Sequence, residues 1–277
     1  MNWMHRVYPR VGRQRADLRH FLRAEYGNFL LALIRSRLVQ RIVYQSEFSR
    51  KWWERVYGPA PVASKVIFNG VDLSIYTEAG AHQRPADCCR VLLVEGSLMG
   101  GYEQGLETAV QFAESLDQEI GTSYSFADSL RVELMIAGRV APQLQAHWTG
   151  RSKVPIRWAG LVPRDRIPEV DRSAHLLYSA DLNAACPNSV VEALACGLPV
   201  VALDTGALSE MVTGDAGRVT PFGGDPWKLD PPDVQPLAVA ALEILSDPDR
   251  FRKAARLRAE EAFSLDRMVE EYLACLT

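Results

Sequence analysis

Apolar residues in the larger part of the chain fall into short continuous runs rather than alternating positions. The runs are RVLLVEG, VELMIAG, VPIRWAG, AHLLYSA and LPVVAL. Continuous runs of this kind are typical of parallel strands buried on both faces of a sheet. The alternation of these strands with helices predicts a doubly wound α/β domain, with GRVTPFGG as an edge strand and two or three helices at the end. The predicted intervening helices lie near residues 103–116, 142–148, 164–170 and 189–196.

The earlier part of the chain has a different pattern. Residues 15–40 repeat apolar positions every three or four residues, which predicts an amphipathic helix. RIVYQS and KVIFNGV predict two strands, separated by a helix through EFSRKWWERVYG that ends at Gly58. Two strands are too few for a complete α/β domain, because each βαβ unit takes roughly 30 residues or more. The predicted boundaries are 1–76 for a partial α/β domain, 77–89 for a polar linker, 90–262 for the second domain and 263–277 for a final helix.

Charge is distributed unevenly along the 277 residues. The formal net charge is -3, but residues 1–60 carry +8 and the remainder carries -11. A basic region of this kind binds anionic lipid headgroups, nucleic acid or a phosphorylated ligand, and the alternative is a solvated helix surface. No aromatic-rich RNA motif or zinc-finger spacing accompanies the charge, so nucleic acid is not a predicted partner.

The composition also narrows the compartment and the metal chemistry. No apolar run approaches the length of a membrane span, and the first residues lack the apolar core of a signal peptide, which predicts a cytoplasmic protein. The five cysteines form neither a CxxC pair nor a cluster with histidine at metal-binding spacing. We therefore expect reduced thiols and no metal site.

Two loops at predicted strand ends are candidates for phosphate binding, because doubly wound sheets bind ligands at the carboxyl ends of their strands. The segment VEGSLMGGYEQG places Gly96 and Ser97 directly after a strand. It does not match GxGxxG, and it is either a phosphate-facing loop or a plain flexible turn. Arg139 follows the next strand, where it either reaches a phosphate or lies exposed on the surface.

The stretch CPNSVVEALACGLPVV predicts a helix of barely two turns between Pro187 and Gly197. Its first turn leaves unpaired amides at residues 189–191, which favour an anion. Ser189 and Glu192 have the spacing of a capping box, in which the acid binds the helix's own amide. The same acid at a strand-end crevice is suited to the paired hydroxyls of a ribose or sugar, and both roles stay open.

Several motifs together resemble family 4 glycosyltransferases. ACPNSVVEALACGLPVVALDTGALSEMV is similar to the signature region of that family, and RIVYQSEFSRKWW, KVIFNGVDLSIY and VPIRWAGLVPRDRIPEVDRSAHLLYSA resemble its other segments in order. The resemblance runs from about residue 40 to the end. It implies the GT-B fold of two facing Rossmann-like domains, here with a shortened N-terminal domain, and a final helix that crosses back to the first domain.

The resemblance also implies an activity and a donor site. The reaction would move a sugar from a UDP- or GDP-linked donor to a glycan or lipid acceptor with retention, without a metal or other cofactor. A basic amino-terminal region would favour peripheral contact with the inner face of an anionic membrane. The implied donor contacts are Glu192 with the ribose hydroxyls, Asn188, Ser189 and Val190 with the diphosphate and sugar, Leu161 and Val162 with the base, Gly96 and Ser97 under the phosphates, and Glu210 as the acid that follows the family's Gly-rich turn.

This sequence departs from the family pattern at charged positions. The family pairs two acids eight residues apart, but the first position is Ala184, with Asn183 beside it as a substitute. The family's Arg and Lys at the phosphate loop fall on Ser97 and on Tyr102 or Gln104, which leaves Arg139 as the proposed cation. Two alternatives stay open: a non-catalytic or truncated glycosyltransferase homologue that binds a nucleotide sugar or acts as a partner subunit, and another α/β enzyme such as an epimerase or a dehydrogenase.

Overall fold

The computed structural model describes residues 18–82, 84–99, 103–122 and 130–276. The first part of the chain forms a small unit with one parallel strand pair, in which Ile42 pairs with Ser64 and Tyr44 with Val66. Its elements are α1 (Leu18–Arg37), β1 (Ile42–Tyr44), α2 (Glu47–Tyr57) and β2 (Ser64–Val66). The two predicted strands are confirmed, although the second is shorter than the apolar run that predicted it.

Local chemistry defines both ends of α2. Ser46 is the N-cap and its hydroxyl accepts the Ser49 amide, while the Ser49 side chain binds the Ser46 amide, so the two serines form a capping box. Gly58 ends the helix with φ of 81°, a conformation that favours glycine. The helix predicted to end at Gly58 is therefore confirmed.

The second part of the chain is a parallel six-stranded α/β unit. The five predicted apolar runs are confirmed as strands; four of them form the interior of the sheet, whereas VPIRWAG forms a strand at one edge and is only partly buried. Its strands are β3 (Cys88–Ser97), β4 (Arg131–Arg139), β5 (Ile156–Gly160), β6 (Leu176–Ser179), β7 (Val200–Leu203) and β8 (Gly217–Thr220). Its α-helices are α3 (Glu103–Thr122), α4 (Pro142–Arg151), α5 (Ile167–Arg172), α6 (Asn188–Ala195), α7 (Leu208–Met211), α8 (Gln235–Ser246), α9 (Pro248–Ala262) and α10 (Leu265–Leu276).

The strand order β5-β4-β3-β6-β7-β8 reverses its direction of winding between β3 and β6. All described pairs in this sheet are parallel, so the carboxyl ends of the strands share one edge. A crevice forms at such a reversal, because the following loops leave in opposite directions. The topology therefore places the ligand site beyond the ends of β3 and β6, and it puts β8 at the edge, as predicted.

Two apolar layers cover the sheet. Val91 and Leu93 pack on one side with α3 and α8, where the rings of Phe112 and Tyr178 stack with centroids 5.1 Å apart. Leu92 points to the opposite layer, where α6 and α9 pack with Phe263. Successive residues of a strand face opposite sides, so a strand covered on both sides is apolar throughout.

The segment ahead of the predicted linker is fastened to the second unit. Val71 forms a parallel bridge with Ser264, with hydrogen bonds of 2.9 Å to the Phe263 carbonyl and 3.0 Å from the Leu265 amide. The rings of Phe68 and Phe263 meet edge to face at 5.4 Å. Phe68 and Val71 therefore already contact the second unit, although the predicted linker begins only at residue 77. Among the helices of the described residues, none has both the length and the hydropathy to cross a membrane.

Because β7 and β8 pack closely at Gly217, an added methyl group should destabilise the fold there but not at Gly150, where there is open space. A Cβ on Gly217 would collide with the backbone carbonyl oxygen of Val200, which cannot rotate away. We expect Gly217→Ala to lower the free energy of unfolding by about 1–3 kcal/mol in urea denaturation. Gly150 lies in α4 with open space around its Cβ position, so Gly150→Ala should be neutral or stabilising. Equal stabilities for the two variants would contradict this packing.

Candidate functional site

The carboxyl edge of the six-stranded sheet carries every residue that the sequence proposed for donor binding. Each residue follows the end of a strand, so the topology alone brings them to one edge. Gly96 and Ser97 end β3, Arg139 ends β4, Leu161 and Val162 follow β5, Asn188, Ser189, Val190 and Glu192 belong to the helix after β6, and Glu210 lies in α7 after β7.

Helix α6 begins one residue earlier than the spacing predicts. Pro187 is the N-cap, and the first intrahelical bond runs from the Val191 amide to its carbonyl. The amides of residues 188–190, rather than 189–191, therefore have no carbonyl partner within the helix. The predicted capping box is wrong, because Ser189 lies inside the first turn and no side chain caps the helix. Glu192 is thus free of the capping role.

The Glu192 carboxylate instead faces Tyr76, which comes from the end of the first segment. The Tyr76 phenol donates a hydrogen bond of 3.2 Å to Glu192 Oε1. Burial raises the pKa of Glu192, and both this hydrogen bond and the charge of Arg164 lower it. Glu192 is half-buried, so it combines restricted solvent access with a surface for a ligand. Arg164 is exposed and adds a second cation to this edge beside the proposed Arg139.

A second acid lies behind Glu192. Asp171 in α5 is 1% exposed, and burial, together with the charge of Glu192, raises the pKa of Asp171 well above its ordinary value. Both effects favour the protonated form of Asp171 over its charged form.

A carboxyl pair lies at the reversal of the sheet itself. Glu95 lies near the end of β3, directly before Gly96 and Ser97, and Asp181 follows the neighbouring β6. Burial, and then the nearby Asp181, raise the pKa of Glu95 to about 8, while burial raises the pKa of Asp181. The Ser179 hydroxyl lies 3.3 Å from Asp181 Oδ2 and donates to it. The described ranges contain no cluster of three or more acidic, His or Cys side chains suited to a metal ion.

The predicted phosphate loop is adjacent to Arg139. Ser97 pairs with Arg139 across β3 and β4, and the Leu98 amide donates to the Arg139 carbonyl at 2.9 Å. The Arg139 side chain is exposed. Arg139 therefore provides one cation beside the loop in which the family's Arg and Lys are absent. Tyr102, the other position compared with the family pattern, lies outside the described residues.

The residues proposed to contact the nucleotide base lie directly after β5. Gly160 has φ of 67° and turns the chain out of the strand. Leu161 is 60% exposed, whereas Val162 packs partly on the apolar layer around α6. An exposed leucine above a packed valine offers an apolar surface on which a flat ring can rest.

The first unit contacts two of the proposed donor residues directly. Asn69 Nδ2 donates to Asn188 Oδ1 at 2.8 Å and to the Cys186 carbonyl at 3.3 Å. The Glu210 carboxylate accepts the amides of Glu47 and Phe48, at the start of α2, at 2.8 and 2.6 Å. A carboxylate at a helix N-terminus is stabilised by the free amides and by the helix dipole.

Aromatic packing reinforces the contact between the two units. Trp227, in the loop after β8, is 7% exposed. Its ring centroid lies 4.4 Å from that of Trp52 in α2 and 6.3 Å from that of Phe48. Burial of such large rings stabilises the contact of α2 with the second unit.

The position of the missing family acid is closely packed. Asn183, the proposed substitute, is 6% exposed and has φ of 56°, and the Ala184 carbonyl accepts the Ala207 amide at 3.0 Å. A Cβ on Gly206 would meet the backbone of both residues within 3 Å. The backbone here is fixed by the neighbouring loop, and the Asn183 amide is buried rather than presented at the surface.

Sequence reasoning missed Tyr76, Arg164, Asp171 and the Glu95–Asp181 pair. The acid in RVLLVEG was a visible signal, since it interrupts an apolar run at a strand end. Tyr76 and Asp171 gave none, because their proximity to Glu192 arises only when distant segments pack together.

Comparison with known proteins gives a family match. A family model described as "Glycosyl transferases group 1" matches residues 90–247, more than half of the chain. A GDP-mannose-dependent alpha-(1-6)-phosphatidylinositol dimannoside mannosyltransferase of Mycobacterium tuberculosis is 31% identical over 172 residues, which are 58% of this chain and 40% of that protein. O-antigen chain mannosyltransferase B of Escherichia coli is 32% identical over 103 residues, 37% of this chain and 24% of that protein. The matched region thus spans less than half of either relative.

Solved structures show the same fold at low identity. Sucrose-phosphate synthase from Thermosynechococcus elongatus superposes with a TM-score of 0.69 and 18% identity, over 91% of this chain and 61% of that one. HepE from Anabaena, in complex with UDP and glucose, gives a TM-score of 0.63 and 19% identity, over 90% and 66%. These likenesses confirm the predicted α/β architecture of GT-B type.

The Glu95–Asp181 pair predicts a pH-dependent stability. The folded protein holds the Glu95 proton up to about pH 8, whereas the unfolded chain releases it near the ordinary value of 4.5. The folded state binds more protons between these values, so this group lowers the free energy of unfolding as pH rises through that window. Glu95→Gln cannot titrate, and its stability relative to the wild type should increase from about pH 5 to about pH 8 in urea denaturation.

A matched control separates this effect from general titration. Glu270 is exposed in α10, so Glu270→Gln should follow the wild-type pH dependence. Parallel curves for Glu95→Gln and the wild type would show that Glu95 titrates normally.

Proposed function

Because the chain belongs to the family of group 1 glycosyl transferases, we propose that it moves a sugar from a nucleotide-diphosphate donor to a glycan or lipid acceptor. We further propose retention of the anomeric configuration, as the family 4 resemblance implies. Family membership sets aside the epimerase and the dehydrogenase as alternatives. The proposed donor-binding unit is the six-stranded domain of residues 90–262.

The observation that carries this proposal is the arrangement of α6. The free amides of residues 188–190 open the helix at the sheet's crevice, and Glu192 lies one turn further on. Amides at a helix N-terminus bind the oxygens of a diphosphate, while a carboxylate accepts the two hydroxyls of a ribose. The spacing of one helical turn, about 5.4 Å, matches the step from a phosphate to its ribose.

The other residues support the same donor position. Gly96 and Ser97 are proposed to lie under the phosphates, with Arg139 beside them and Arg164 near Glu192. These cations and amides would stabilise the charge that develops on the departing diphosphate, so the reaction needs no metal. The base is proposed to rest on Leu161 and Val162.

The donor is proposed to carry GDP and mannose. The two mannosyltransferase relatives support this choice, and the name of the mycobacterial one specifies GDP-mannose and a phosphatidylinositol acceptor. HepE, with UDP and glucose bound, supports testing UDP-glucose beside it. A lipid acceptor agrees with the proposed contact between the basic residues 1–60 and an anionic membrane.

A second candidate function is a non-catalytic subunit that binds a nucleotide sugar. The specific observation in its favour is Ala184, which replaces the first of the family's two acids, together with the buried state of Asn183. An assay of GDP-mannose hydrolysis by the purified chain, in which released mannose is measured, separates the two functions. Turnover supports the transferase, whereas donor binding without turnover supports the subunit.

The donor site predicts the effect of removing the Glu192 charge. We expect Glu192→Gln to weaken GDP or UDP binding about tenfold or more in calorimetry, since hydroxyl groups donate stronger hydrogen bonds to a charged carboxylate than to a neutral amide. The melting temperature should stay equal or rise, because the pKa of Glu192 is raised by burial and the neutral amide avoids that cost.

Glu270→Gln is the control, because it makes the same chemical change at an exposed position of α10. It should leave nucleotide affinity unchanged. Unchanged affinity in Glu192→Gln, with both nucleotides bound by the wild type, would exclude Glu192 from the donor site.

If the basic residues 1–60 contact an anionic membrane, the chain should bind negatively charged vesicles. Co-sedimentation with vesicles that contain phosphatidylserine should exceed that with neutral phosphatidylcholine vesicles and should fall as salt increases, because the attraction is screened. Equal binding to both vesicle types would refute an electrostatic contact.

A further inference from the structure

The Tyr76 side chain occupies a defined position against the proposed ribose contact. It is 4% exposed, and its hydroxyl lies 3.2 Å from Glu192 Oε1 and 3.5 Å from the Arg164 carbonyl. A phenol has one proton to donate, and the shorter contact leads to the charged acceptor, which forms the stronger bond. The proton therefore belongs to the contact with Glu192.

Arg256 holds the backbone of Tyr76 in place. Its guanidinium donates to the Tyr76 carbonyl at 2.8 Å and to the Ala195 carbonyl at 2.7 Å. Ala195 is the last residue of α6, the helix that carries Glu192. The Tyr76 amide also donates to the Asp72 carbonyl at 2.9 Å. Tyr76 is thus held against α6 of the second unit, although it precedes the predicted linker.

The surroundings of Glu192 give this hydrogen bond an electrostatic role. Burial, and then the charge of Glu192, raise the pKa of Tyr76 to about 12, so the phenol remains a donor at all ordinary pH values. The other ionisable groups near Glu192 are Arg164 after β5, Asp171 on α5 and Cys196 after α6. Burial raises the pKa values of Asp171 and Cys196 and so disfavours a negative charge on either group. Tyr76 and Arg164 therefore oppose the cost of burying the Glu192 charge.

We propose that Tyr76 is a positioning residue of the donor site: its phenol fixes Glu192 Oε1 and favours the anionic carboxylate, leaving Oε2 to accept ribose hydroxyls. This inference rests on the proposed nucleotide-sugar function, which assigns the ribose to Glu192. Tyr76 acts through Glu192 and touches no reacting atom.

The test is the pH dependence of nucleotide affinity in Tyr76→Phe. Calorimetry with GDP from about pH 5 to about pH 9 should show that wild-type affinity falls in acid as Glu192 takes up a proton. In the variant this loss should begin at higher pH, and affinity at neutral pH should fall about five- to tenfold. A purely structural role for the phenol would lower the melting temperature without moving the pH profile.

Two further variants isolate the pairwise effect. In a Glu192→Gln background, Tyr76→Phe should cause little additional loss, because the carboxylate on which it acts is gone. Tyr57→Phe is the matched control, since it removes a phenol that donates to Asn28 in the first unit, away from Glu192. It should leave both affinity and pH profile unchanged.

The outcomes distinguish this inference from the function on which it rests. A wild-type chain that binds neither GDP nor UDP rejects the donor site, and the role of Tyr76 with it. A wild-type chain that binds, with an unchanged pH profile in Tyr76→Phe, rejects only the role of Tyr76. An equal loss in the wild-type and Glu192→Gln backgrounds also rejects it, because the phenol would then act independently of the acid.

Discussion

The reversal of winding between β3 and β6 is the constraint on which the proposed site depends. Parallel strands send all their carboxyl ends to one edge, and the reversal opens a crevice there. Helix α6 starts at that crevice because the chain leaves β6 through a loop held against the one around Gly206. The free amides, the ribose acid and the loop after β3 are thus brought together by topology before any specific contact is made.

Contacts from the first unit then determine how accessible this edge is. Asn69 binds the Asn188 side chain, and the start of α2 binds Glu210. Tyr76 differs from these contacts because Arg256 ties it to the second unit. Asn69 lies between Phe68 and Val71, which also contact the second unit, so a relative movement of α2 would release Glu210 and leave the contacts of Asn188 and Glu192 intact. Donor recognition and contact between the units involve neighbouring but separable groups.

The sequence predicted the strands of the sheet, but it did not predict which side chains surround Glu192. All five runs predicted their strands correctly: four form interior strands, which are apolar because both faces are covered, and the fifth forms the edge strand β5. The start of α6 was placed one residue late because Asn188 and Ser189 favour caps, whereas Pro187 occupies that position. The partner of Glu192 comes from 116 positions away. No local pattern encodes such proximity, and the raised pKa of Asp171 depends on burial that only tertiary packing creates.

The contact of Glu210 with α2 has an unequal genetic consequence. On the α2 side the donors are backbone amides, which every residue except proline supplies at positions 47 and 48. On the other side the acceptor is one side chain of a particular length and charge. Substitutions in α2 other than proline can therefore accumulate without disturbing this contact, whereas a change at Glu210 removes it, so this one contact between the units depends on the identity of a single residue.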